Sequence, residues 1–200
     1  MIITTDRLVI RPWRRADLDA MAAWPRYPDP LDAVWNWPHV LVAQGTADFF
    51  FFGRDTDPTR REWTIVQADQ VIGQLGLRQI NRVAGSARIS LALGLPYIGQ
   101  GYGAEALSAF GTAFFGPLGF RRMLLDVRAY NQRALRLYAK LGFREIAQFW
   151  YEAGPPEEWA FLDQPRYNSV RNCFRWTNHS VLVQHLELSL DAADWPARRP

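Results

Sequence analysis

The period of apolar and polar positions changes several times along this chain, and each change marks an element. Thr4 to Trp13 alternates, with Leu8 and Ile10 on one face and Arg7, Val9 and Arg11 on the other. This predicts a first strand, with Pro12 near an edge or exit. Leu18, Met21 and Ala22 then form the apolar stripe of a short helix that Asp17 caps or begins and that runs to Ala23. Trp24 to Pro38 is rich in proline and tryptophan and reads as loop, with one helical turn over Pro30–Trp35. Its aromatic residues either wall a ligand pocket or cover one end of a sheet. Thr46 to Phe52 predicts a second helix in which Phe49–Phe52 is mainly core. Strands are expected over Glu62–Gln67, Val71–Gln79 and Ala87–Leu93, joined by turns at Asp69-Gln70 and Asn81–Ser86, as an antiparallel meander.

The richest stretch follows that third strand. Gly99-Gln100-Gly101-Tyr102-Gly103-Ala104 leads into an apolar-periodic run, with Leu107, Phe110 and Phe114 on one stripe and a stop at Gly116-Pro117. Strand, glycine loop and helix together make an anion site. The first backbone N–H groups of a helix have no partner inside it, and alternate glycines remove the side chains that would block a phosphate. The same stretch also reads as a plain flexible turn. It lacks the Gly-Lys-Ser/Thr of a nucleotide-triphosphatase loop and the G-x-G-x-x-G of a dinucleotide site. Arg122–Ala129 is the next strand, reached by a parallel crossover.

A second motif runs Asn131-Gln132-Arg133-Ala134-Leu135-Arg136-Leu137-Tyr138-Ala139-Lys140-Leu141-Gly142-Phe143. Asn131 is a good N-cap, Lys140 suits the last turn, and Gly142 suits a left-handed helix end. Glu145–Tyr151 and Ser180–Leu188 are further strands. Between them, 152–179 is an insertion carrying Trp159, Phe161, Tyr167, Phe174 and Trp176; it extends the core, makes a dimer contact or covers an acceptor site, in that order of preference. Residues 191–200 are expected to form a loosely held tail.

Composition narrows the picture. The chain has 200 residues, 48% hydrophobic and 22% charged, which fits one folded domain over 1–190. Cys173 is the only cysteine, which excludes an internal disulfide and a multi-cysteine metal site; no metal is expected. No apolar run reaches the length of a membrane span and no signal-peptide pattern opens the sequence, so the expected address is cytoplasmic, with no membrane partner. Net charge is +3 with Lys140 the only lysine, and no basic run is dense enough for a nucleic-acid groove.

The two motifs together resemble the GNAT acetyltransferase superfamily. G-x-G-x-G/A after a strand is similar to its coenzyme-A diphosphate loop, and N-x-x-A-x-x-L-Y-x-K-x-G-F to its second block. The opening T-x-R-L-x-I-R-P followed by A-D-L resembles the ribosomal-protein N-terminal acetyltransferase branch. The resemblance covers Thr4 to Phe149. It implies an α+β fold with a mixed, mostly antiparallel sheet of six to seven strands flanked by helices, split in a V between Ala87–Leu93 and Arg122–Ala129. It implies acetyl-CoA as co-substrate, held by Leu91, Leu93, Gly99, Gln100, Gly101, Tyr102, Gly103, Ala104, Asn131, Ala134 and Tyr138. Tyr138 would be the catalytic residue, hydrogen-bonding the departing thiolate. The acceptor would be a small-molecule or peptide amine, and the chain a monomer or homodimer.

Two departures qualify this pattern. Ile98 stands where the family often has Arg or Gln, and Arg88 where the resembling branch often has Glu. Glu62, Glu152 and His185, or a chain of waters, are candidate general bases. The competing readings are a catalytically weak acyl-CoA-binding regulatory module of the same fold, and a different phosphate- or nucleotide-binding enzyme built on the glycine loop.

Overall fold

The computed structural model describes residues 1–195. They divide into two units, Met1–Met123 and Leu124–Trp195. The class is α+β and mostly antiparallel, as the pattern implies. Nine strands rather than six to seven occur among the described residues. One extra strand arises because the first predicted strand is broken: β1 (Ile3–Thr4) and β2 (Val9–Pro12) pair as a hairpin, Ile3 opposite Ile10. The break is local chemistry, since Thr5 N–H donates to the Leu8 carbonyl and Thr5 Oγ1 accepts from Leu8 N–H. The other is a three-residue strand inside the insertion.

In the first unit, β2 is followed by α1 (Arg15–Ala22), α2 (Trp37–Ala43) and α3 (Ala47–Asp55). Helix α1 starts two residues before Asp17, which sits one turn in and accepts from Arg14 N–H at 2.8 Å. Helix α2 was not legible in the pattern; it starts with Pro38 in its first turn, where the missing N–H costs nothing. Within α3 only Phe51 of the four phenylalanines is buried, beside Trp13, Leu18 and Ala47. Phe49 and Phe52 are exposed, against the core placement their hydrophobicity suggests, because four successive helical positions point around the whole circumference.

Strands β3 (Arg61–Gln67), β4 (Gln70–Asn81) and β5 (Ser86–Leu93) form the expected meander alongside β2. Ala68 and Asp69 both take positive φ, the tight turn that matches strand twist. Trp63, Thr64 and Ile65 are successive and all buried, so both faces of β3 are covered. Trp63 meets Phe110 of α4 (Tyr102–Phe115) at 5.0 Å, and Thr64 bonds Asp17 of α1.

In the second unit, β6 (Arg122–Arg128, entering from the first) leads to α5 (Gln132–Leu141), then to β7 (Arg144–Glu152). β7 pairs antiparallel with β9 (Val181–Asp191), which also pairs β8 (Phe174–Trp176). The insertion holds two 3-10 segments, Pro156–Asp163 and Pro165–Cys173. Trp159 packs on Phe174, Phe161 on Tyr167, and Tyr130 stacks on Phe174 at 5.4 Å, so the segment extends the core of this unit. Burial pushes the Cys173 thiol up. Of the predicted tail, 196–200 lie outside the described residues.

Candidate active site

The glycine loop closes off β5. Gly99 and Gly101 both adopt left-handed backbone, φ +80° and +84°, and Gly101 is the N-cap of α4. Only glycine takes this conformation without strain. A Cβ on Gly99 would meet nothing within 4 Å, so open space lies over the loop there. Gly103 sits in the first turn of α4, so two of the three alternating glycines serve the turn and the third the helix start.

The ladder fixes which way β5 presents its backbone. Gly94 N–H donates to the Ile72 carbonyl at 2.9 Å, which makes that pair a hydrogen-bonded one. In an antiparallel ladder the next residues alternate, so the main-chain groups of Leu93 and Leu91, opposite Gly73 and Leu75, turn away from β4. The Leu93 carbonyl accepts the Tyr27 hydroxyl at 2.6 Å, and a carbonyl keeps a second lone pair. The Pro-Trp segment thus packs on the end of the sheet: Trp24 lies where a Cβ on Gly94 would fall, and its indole N–H donates to Val71.

Sequence reasoning missed what holds the loop. Arg7 donates to the Gln100 carbonyl at 3.2 Å, lies 4.5 Å over the Tyr102 ring and pairs with Glu105 of α4 at 2.6 Å. Burial alone would raise the Glu105 carboxyl, but hydrogen bonds from Thr5 and Arg7 hold it below its ordinary value. The signal was present in T-x-R-L, where Thr5 and Arg7 are the two residues that reach Glu105. Gln100 turns its side chain back onto the Pro96 carbonyl. Tyr102 is buried, so its ring anchors the loop.

In the second unit, Asn131 caps α5 by accepting from Ala134 N–H at 3.1 Å, and Gly142 ends the helix at φ +94°. Tyr138 is buried, edge-on to Phe143 at 5.5 Å. Burial pushes its phenol to about 12. At neutral pH it is a hydrogen-bond donor, and proton transfer to a thiolate of pKa about 8.5 is uphill. His185, opposite Phe149, lies between Phe149 and Tyr151 with Nδ1 buried and without a hydrogen bond. Burial, then repulsion from Arg128, lowers its pKa despite Asp126. Glu152 is exposed at the end of β7.

Glu62 differs from both. It is buried on β3, and Arg54 of α3 pairs with it at 3.0 Å. Burial lifts its carboxyl to about 7 even against the pull of Arg54 and Arg60. Among the described residues, no group of three or more His, Cys, Asp and Glu side chains could hold a metal ion.

This loop, strand and capped helix define a class. Residues 7–144 match the acetyltransferase (GNAT) domain model, and the chain belongs to that family. Among its relatives is the spermidine N(1)-acetyltransferase of Escherichia coli K12, 24% identical over 129 residues; the match spans 64% of each chain. An uncharacterized N-acetyltransferase, YycN of Bacillus subtilis, is 44% identical over 50 residues, 25% of this chain and 31% of that one. The fold is shared with a chimera of the Vibrio cholerae spermidine N-acetyltransferase SpeG and hSSAT, at TM-score 0.68 and 16% identity over 96% of this chain and all of that one. It is shared too with the Vibrio cholerae enzyme solved with CoA and spermine, at TM-score 0.63 and 16% identity over 95% and 98%.

Proposed function

We propose that the protein is an acetyl-CoA-dependent N-acetyltransferase that moves an acetyl group to a primary amine by direct attack in a ternary complex. The carrying observation is the loop: two left-handed glycines, open above Gly99, at the start of α4 and directly after a strand with outward-facing backbone at Leu91 and Leu93. Backbone N–H groups of Gly99–Ala104 fit a diphosphate, with Arg7 clamping the loop in place of the side chain that Ile98 does not supply. The arm would lie along Leu91 and Leu93 of β5. Acetyl-CoA supplies the thioester. Tyr138 donates a hydrogen bond to the sulfur as charge develops there, and Asn131 and Ala134 set the helix that carries it.

Spermidine acetyltransferases among the relatives favour a polyamine acceptor. The first-strand resemblance to the ribosomal-protein branch favours a peptide amine. The test is thiol release from acetyl-CoA with spermidine, free amino acids and an N-terminal peptide as separate acceptors. Amine-dependent release supports the reading. Tight CoA binding with no release from any acceptor would favour the regulatory module, and ATP outcompeting CoA would favour a nucleotide enzyme.

A further inference from the structure

Glu62 of β3 lies opposite Gly76 of β4, and Gly76 opposite Ser90 of β5, so the three project from one face of the sheet. The glycine is what makes room. A Cβ at position 76 would fall 2.1 Å from Glu62 Oε2 and 2.9 Å from Ser90 Oγ. The Glu62 carboxylate therefore lies across β4, next to the hydroxyl of the strand that presents Leu91. Ser90 is exposed in mid-strand while Ile89 beside it is buried, so this face is open to solvent at that point.

We propose that Glu62 is the base that takes the proton from the acceptor ammonium, with the acceptor approaching over Ser90. This rests on the acetyltransferase reading. The ammonium gives one proton to the carboxylate, which frees the nitrogen lone pair. That pair forms the C–N bond to the thioester carbon, the C–S bond breaks, and the nitrogen loses a second proton as the thiolate becomes a thiol. Glu62 then returns its proton to solvent.

The groups around the carboxylate suit the role. Arg54 of α3 holds Oε1 at 3.0 Å, Arg60 lies 3.9 Å from it, and Gln74 Nε2 reaches Oε2 at 3.4 Å. Arg78 of β4, opposite Arg88 of β5, adds positive charge near Arg54. Titration near 7 makes the carboxylate basic enough to compete for an ammonium proton at working pH. Glu62 also lines a cleft of about 300 Å3 with Arg54, Arg60 and Trp63. His185, in its aromatic surroundings, is the rival.

The experiment is the pH profile of kcat/KM for acetyl-CoA-dependent thiol release, using whichever amine the wild-type chain accepts. The wild type should show an acidic limb near pH 7. Glu62→Gln should lose that limb and slow about 10²-fold at pH 7, with CoA affinity by calorimetry unchanged, and Glu62→Asp should recover part of the rate. Arg54→Gln removes a cation that depresses Glu62 and should move the limb to higher pH, a shift that a structural role would not give. A limb that persists unmoved in Glu62→Gln, or one that vanishes instead in His185→Gln, overturns the assignment alone. Absence of transfer by the wild type overturns the acetyltransferase reading, and this base with it.

Discussion

A single side chain shows how placement decides chemistry. Tyr138 in water would be an ordinary phenol; in α5 burial raises it to about 12, so in the proposed reaction it would act by donating a hydrogen bond. Tyr138→Phe is expected to lower kcat about 10²-fold with little change in KM for acetyl-CoA, as steady-state kinetics would show. Asp17 illustrates the opposite balance. Burial raises its carboxyl, but Arg11 at 2.7 and 2.8 Å, Thr64 and the Arg14 N–H more than offset this, and its pKa ends below the ordinary value. Its contribution is therefore full above the unfolded pKa and is lost as pH falls through the folded one. Asp17→Asn should cost about 3 kcal/mol in urea unfolding at pH 7, and the gap from wild type should close at pH values well below about 3.9.

Elements whose signals are local were legible; those set by distant partners were not. The glycine loop and the N-cap of α5 could be read because the conformations they demand admit few residues, at Gly101, Asn131 and Gly142. Helix α2 could not, since packing against α1 and α3 rather than periodicity decides it. The Arg7–Glu105 clamp joins residues 98 apart and is invisible to any window. So is the Tyr27 bond to Leu93, 66 residues away. Within the loop, Gly101→Ala would strain the left-handed N-cap and bring a methyl to 3.4 Å from Arg7. The expected result is about a tenfold rise in Kd for CoA by calorimetry, the equivalent of about 1.4 kcal/mol of strain, with the fold retained.

Over the whole molecule, a chain with one lysine and a net charge of +3 belongs to a family whose co-substrate, acetyl-CoA, is anionic. In the proposed site main-chain donors and one clamped arginine would replace side-chain charge, so affinity should depend on loop geometry more than on salt. A ligand that binds only the folded chain stabilises it by about 2.7 kcal/mol at one hundred times its Kd, so CoA should raise Tm and ATP at equal concentration should not. The most direct measurement is a crystal structure of the chain grown with CoA. The account predicts the diphosphate against the backbone N–H groups of Gly99–Ala104. A diphosphate bound anywhere else would contradict it.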